Sequence, residues 1–189
     1  MQKWWDEQHE KFNINGEKKY ITGSALQSYL DFYQCSTQYA KAKTVFEIGI
    51  GTGRALREME NKDRYATDIS EIAKERVKDI TNVTDIPIKC IDIAFCNLVA
   101  QHVNDETLQE ILKYGLASLK PTGILCMQFA DAKASNIYSK ELMLKGGILR
   151  NESQSAELVN QEGKIVFTIP KRYFNGGSVW WYGYHIRRK

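Results

Sequence analysis

Apolar positions along the chain follow two periods that alternate. Residues 44–50, TVFEIGI, are a short run rich in β-branched and aromatic side chains, which predicts a strand. Residues 54–61, RALREMEN, space their apolar positions as a helix does. RYATDI, at 64–69, predicts a second strand, ending in an acid. SEIAKERVKDI, at 70–80, predicts a helix capped by Ser70, with Glu71 in its first turn. IDIAFCNLV, at 91–99, reads as a buried strand. NDETLQEILKYGLASL, at 104–119, is an amphipathic helix opening on Asn104 or Asp105. KPTG predicts a turn, and ILCMQFA, at 124–130, another buried strand. Strands alternating with helices imply βαβ units around a parallel sheet.

The two ends break this rhythm. GSALQSYLDFYQCSTQYA, at 23–40, carries Leu26, Tyr29, Leu30 and Tyr33 at helical spacing, with Ser24 as a cap. NGEKK before it reads as a turn. KASNIYSKELMLKGG, at 133–147, is expected to be helical. AELVNQEGKIVFTIP and KRYFNGGSVWWYGYHIRRK, from 156 to the last residue, read as extended runs folded into antiparallel hairpins at NQEGK and NGG. The three prolines, at 87, 121 and 170, all stand at or beside segment ends. The expected fold is therefore α/β: a Rossmann-like, doubly wound, mostly parallel sheet with an antiparallel β-rich C-terminal part and an N-terminal helical cap. The whole chain, 1–189, reads as one domain: a cap over 1–40, a core over 41–132 and a variable region over 133–189.

Composition narrows the class without changing that picture. A chain of 189 residues with 43% hydrophobic positions can build one core. A formal net charge of +3 does not mark a nucleic-acid binder. There is no apolar stretch of membrane-spanning length, and the polar N-terminal segment lacks the apolar centre of a secretion signal. A cytoplasmic setting with reduced thiols is expected for Cys35, Cys90, Cys96 and Cys126, which form no CxxC pair and give a metal site no support.

The chemistry begins at residues 46–53, FEIGIGTG. A strand that runs into glycines 49, 51 and 53 and then a helix lets a ligand approach bare backbone, with N–H groups that favour negative groups. Asp68 closes the next strand 19 residues past Gly49, near the spacing of an acid that takes ribose hydroxyls. A dinucleotide fingerprint would read G-x-G-x-x-G, whereas this loop reads G-x-G-x-G with Arg54 in place of the last glycine.

At this point the sequence resembles the class I S-adenosylmethionine-dependent methyltransferases. FEIGIGTG is similar to their first motif and ATDIS to their second. DIPIKCIDIAFCNLVAQHV resembles the stretch carrying the third and fourth, and LKPTGILCMQFA resembles their turn and fifth strand. The resemblance covers about residues 40 to 132. It implies S-adenosylmethionine as cofactor. Gly49, Gly51 and Gly53 would shape the loop under its methionine part, and Glu47 would hold its ammonium group. Asp68 would bind the ribose diol, with Ile69 against the adenine. Asp85 would face the adenine amino group, Ile86 would pack on the ring, and Asn97 would line the methionine end. The segment from Asp68 to Ile91 is short for a full third strand, which weakens Asp85 and Ile86 most.

Three histidines compete for the role of general base. His102 follows the fourth predicted strand, on the side where the family places its acceptor, and is the first choice. His9 is expected to be exposed to solvent and His185 to lie on a strand surface. Trp4, Trp5, Tyr20, Tyr173, Trp180, Trp181, Tyr182 and Tyr184 gather toward the two ends, which points either to a pocket lid or to core packing. From 133 onward ten Lys or Arg face four Glu, a net of +6. That balance, set against a solvated basic tail, points to a small polar acceptor, phosphorylated or sugar-linked. O-methylation of a small molecule is the leading reading. A NAD-binding oxidoreductase and a catalytically silent cofactor-binding partner remain alternatives. The sequence leaves the oligomeric state open.

Overall fold

A computed structural model describes residues 2–15, 24–83, 89–131, 148–173 and 180–189 of the chain. Seven strands form one sheet: β1 (Thr44–Ile48), β2 (Asp63–Thr67), β3 (Asn82–Val83), β4 (Ile91–Cys96), β5 (Leu119–Ala130), β6 (Gly163–Tyr173) and β7 (Trp180–Arg188). Their order is β3-β2-β1-β4-β5-β7-β6. Pairing is parallel from β3 through β5, and β7 runs antiparallel to both β5 and β6. This is the expected Rossmann-like, mostly parallel sheet with antiparallel C-terminal strands.

Alternate residues of β1 face opposite layers. Val45 packs with α2 (Ala25–Tyr33), α4 (Arg54–Arg57) and the stretch that follows α5 (Glu71–Glu75), sharing a core with Leu30, Tyr33, Leu56 and Val77. Phe46 and Ile48 face α6 (Asp105–Ser118) and α7 (Glu152–Glu162), with Leu108, Leu112, Leu116 and Val159. The strict period of two in a strand buried on both faces gives each layer its own apolar cluster. Glu47 has the same parity as Val45, so its carboxyl is carried toward α2.

Several local expectations needed correction. The predicted helix 23–40 is two helices, α2 and α3 (Ser36–Lys41). Gln34 turns left-handed at φ 52°, and the Cys35 N–H closes onto the Leu30 carbonyl, so the first helix ends in a left-handed cap. Ser24 caps α2 as expected, accepting from the Gln27 N–H. Its N-terminus is also held by Glu58, whose carboxylate accepts from the Ser24 hydroxyl and from the Ala25 and Leu26 N–H groups. The RALREMEN helix is the four-residue α4. KPTG is not a free turn but an irregularity within β5: Ile91 pairs with Leu119 and Ile93 with Ile124, so four residues stand opposite Asp92 alone, an excess of three.

The larger correction lies in AELVNQEG, which is not extended and makes no hairpin turn. Asn151 and Gln154 form a reciprocal capping box that starts α7, and Ser155 and Val159 are its buried face. A helix with so short an apolar stripe leaves little period to read. Pro170 falls inside β6 rather than beside it, but at the sheet edge, where the register against β7 shifts between Ile169 and Arg172. Between β2 and β4 the described residues form one strand, the two-residue β3, in keeping with the short segment there. The expected turns NGEKK and NGG, and the expected helix at 133–147, lie outside the described residues, apart from Asn15 at the end of α1 (Gln2–Asn15).

Candidate active site

The strands of the parallel half end at a cleft of about 610 Å3, walled by residues from α1, α2, β1, β2, the glycine loop, the loop after β4 and α6. Every described residue lining it falls between Trp5 and Tyr114.

The glycine loop forms its floor. Gly49, Gly51 and Gly53 all have positive φ, at 78°, 56° and 72°. Their needs differ. A Cβ on Gly49 would stand 2.3 Å from Val99 Cγ2, and one on Gly53 would stand 2.4 Å from Val77 Cγ1. Those two are forced by packing. A Cβ on Gly51 would meet only His9 Cε1, at 3.9 Å, so Gly51 leaves open space above backbone that faces the cleft. The Gly51 N–H donates to Asp68 Oδ2 at 3.0 Å, and the Ser70 N–H donates to Asp68 Oδ1 at 2.9 Å. The acid closing β2 therefore ties the loop after β1 to the cap of α5.

Glu47 is buried, 2% exposed. Its Oε1 accepts from the Tyr29 hydroxyl at 2.8 Å, while Oε2 has no partner among the described residues. Burial, joined by the negative charge of Asp68 and opposed by the Tyr29 hydrogen bond, pushes its carboxyl up to about 8. A buried carboxyl oxygen left without a donor is costly, and it lies in a residue that lines the cleft. Asn97, just past β4, also lines it, and its Oδ1 accepts from the Tyr33 hydroxyl at 3.2 Å.

Ile69 and Leu98 are 47% and 45% exposed, and both line the cleft, one after β2 and the other after β4. Leu98 takes a left-handed φ of 59°, and its N–H donates to the buried Gln128 side chain at 3.3 Å. Two large apolar side chains held open to solvent along one cleft suit an apolar ring. Asp85 and Ile86 lie outside the described residues.

His102 sits at the end of a single 3-10 turn, Ala100–His102, on the cleft wall. Burial alone pulls its imidazole down to about 4. The turn is clamped from behind by the buried Arg150, whose guanidinium donates to the Ala100 and Val103 carbonyls and to Asp105. Trp5, in α1, meets His102 with ring centres 4.8 Å apart.

The other two histidines differ from expectation. His9 is not solvent-exposed: it is 6% exposed, lines the cleft beside Trp5, and its Nδ1 has no partner among the described residues. His185 is not on a strand surface either: it is buried, and its Nε2 lies 2.7 Å from the Tyr33 carbonyl. The aromatic ends divide. Trp5 closes the cleft, whereas Trp181, Tyr182 and Tyr184 pack the core. Helical spacing had marked Tyr29 as an apolar position of α2. Its partnership with Glu47 carried no sequence signal, because it joins residues 18 apart through the fold.

Residues 46–127 match the family described as a methyltransferase domain. No curated protein matches the sequence. Solved structures do. The 1,6-didemethyltoxoflavin-N1-methyltransferase of Burkholderia thailandensis, with 1,6-didemethyltoxoflavin and S-adenosylhomocysteine bound, superposes with a TM-score of 0.71 at 12% identity, over 100% of this chain and 87% of that one. Magnesium protoporphyrin IX methyltransferase of Synechocystis PCC 6803, with bound S-adenosylhomocysteine, gives 0.69 at 12% identity over 98% and 97%. Mitomycin 7-O-methyltransferase gives 0.65 at 20% identity over 87% of this chain and 54% of its own, so the present chain spans about half that enzyme's length. At such identities these likenesses are likenesses of fold. The matched domain carries the glycine loop, Asp68 and the fourth strand, and it sets aside the nicotinamide-dependent alternative. Residues 46–127 of the chain thus match a methyltransferase domain, and its fold is that of S-adenosylmethionine-dependent methyltransferases.

Proposed function

We propose that the cleft holds S-adenosylmethionine by the following residues and that the chain methylates a small molecule at oxygen. The observation that carries this reading is Glu47: a buried carboxyl at the end of β1, with one oxygen unpartnered, lining a cleft floored by Gly51. A cationic ammonium is the group that such an oxygen favours. Gly49 and Gly53 set the loop, and Gly51 admits the ligand against bare backbone. Asp68 takes the ribose diol while it keeps the loop tied to Ser70. Ile69, with Leu98 opposite, sandwiches the adenine. Asn97 faces the methionine end. The cofactor supplies an electrophilic methyl group, so the protein mainly orients donor and acceptor and excludes water.

His102 is the proposed base. Pulled down to about 4, it is neutral across ordinary pH and available to accept a proton, though its basicity is low. That same low basicity favours a second reading, N-methylation, since a neutral amine brings its own lone pair and needs no base for attack. The described walls carry one side-chain cation, Arg54, against Glu47 and Asp68. Lys171 pairs with Asp131 and Arg150 with Asp105, so part of the basic C-terminal charge is used internally. This favours a neutral small acceptor over the phosphorylated or sugar-linked one that the charge of the C-terminal third implies. Calorimetry with S-adenosylhomocysteine, followed by labelled methyl transfer to pooled hydroxyl and amine metabolites, tests the reading. Absence of binding by folded protein sinks it.

A further inference from the structure

Helix α2 touches both polar residues at the proposed methionine end. Tyr29 and Tyr33 stand one turn apart on one face, their rings packed against Phe95 at 5.5 and 5.7 Å. Tyr29 donates its hydroxyl proton to Glu47 Oε1, at 2.8 Å. Tyr33 shares its proton between the Cys96 carbonyl, at 3.3 Å, and Asn97 Oδ1, at 3.2 Å. Each bond uses one end of its partner and leaves the other. Glu47 keeps Oε2, a bare acceptor, and the Asn97 amide, which also reaches the Tyr29 hydroxyl, has a second N–H to give. Both residues line the cleft, at the ends of neighbouring strands β1 and β4. The helix carrying the tyrosines is fixed at its start by Glu58 and at its end by His185.

We infer that Tyr29 and Tyr33 are positioning residues that shape a donor–acceptor pair, Asn97 and Glu47, for the zwitterionic amino-acid end of the ligand, and that they make the cleft reject adenosine thioethers lacking that end. The inference rests on the proposed reading of the cleft. A free amino acid group carries one cation and one anion, and an acceptor set beside a donor meets both. Without Tyr29, the Glu47 carboxyl loses its side-chain donor and keeps only the backbone of Leu56 to orient it among the described residues. Without Tyr33, the Asn97 amide has no reason to keep its NH2 toward the ligand.

The test compares two ligands that share the adenosine and differ in the amino-acid part: S-adenosylhomocysteine and 5′-methylthioadenosine. Calorimetry is run on wild type and on Tyr29→Phe and Tyr33→Phe, which keep the rings and remove only the hydroxyls. Wild type is expected to prefer S-adenosylhomocysteine strongly. Each variant is expected to lose about tenfold in S-adenosylhomocysteine affinity, the scale of one hydrogen bond to a charged or strongly polar group. Affinity for 5′-methylthioadenosine is expected to stay within about twofold. Equal weakening of both ligands, or of neither, in whichever variant folds, overturns the inference while the cofactor reading stands. Wild type binding neither ligand overturns both.

Discussion

The Trp5 indole and the His102 imidazole meet edge to face, ring centres 4.8 Å apart and planes at 83°. The contact joins the N-terminal helix to the turn after β4 and shields a ring that would otherwise titrate near 6.5. Burial disfavours the charged imidazolium, so removing the indole raises the proton affinity of His102. Trp5→Ala is expected to move its NMR titration midpoint from about 4 upward, past 5. An unmoved midpoint would show that the burial comes from elsewhere.

His102→Ala separates the two readings of the acceptor. With a hydroxyl acceptor, turnover is expected to fall by about 10- to 100-fold, the lower part of the range for general bases, because this base is weak. Affinity for S-adenosylhomocysteine should hold. Unchanged turnover would mean that His102 takes no proton and would favour an amine.

Glu47 makes two pH effects of opposite use. Its folded value of about 8 stands above the ordinary 4.5, so the folded chain keeps a proton that the unfolded chain gives up over that interval. The stabilising contribution is full below 4.5 and is lost as pH rises through 8. Glu47→Gln removes this dependence, and the unliganded variant is expected to melt about 5 °C higher than wild type at pH 8.5, with no gain at acid pH. A carboxylate is what an ammonium requires, so S-adenosylhomocysteine affinity in wild type should rise with pH up to about 8, with proton release detectable in buffers of different ionisation enthalpy. Flat affinity between pH 6 and 8 would remove Glu47 from that contact.

The three glycines of the loop predict different failures. Gly51→Ala meets open space at φ 56°, so it is expected to cost about 1 kcal/mol of stability and much of the cofactor affinity. Gly53→Ala drives a methyl group to within 2.4 Å of the buried Val77 and should lower the melting temperature first. Thermal melts paired with calorimetry distinguish them.

Asp68→Asn is expected to weaken S-adenosylhomocysteine and 5′-methylthioadenosine alike, because Asp68, the proposed ribose ligand, also holds the Gly51 loop. A loss confined to S-adenosylhomocysteine would place Asp68 at the other end of the ligand.

The parallel half was legible because β1, β4 and most of β5 are buried on both faces and therefore written in apolar runs, as in IDIAFC and ILCMQF. The loop was legible because Gly49 and Gly53 are forced by contacts within 2.4 Å that any side chain would violate. What the sequence hid was nonlocal. Nothing in YLDFY says that Tyr29 meets Glu47 or that Tyr33 meets Asn97. His9 looks like a solvated residue among charges until α1 is folded over Gly51. AELVNQE has a helix cap five residues before it but only a narrow buried stripe, and the extended runs after it masked its period. Buried His185 is betrayed only by the residue it reaches, Tyr33, 152 positions earlier.

The strand order also limits when the sheet can be completed. β7 is made last, yet it lies between β5 and β6. Until residues 180–188 arrive, β6 has no neighbour in the sheet among the described residues, and the edge of β5 that β7 covers is unpaired. His185, carried on that same strand, reaches the end of α2 only then. A nascent chain can thus lay down its glycine loop early, but the helix that frames Glu47 and Asn97 is locked by the strand translated last.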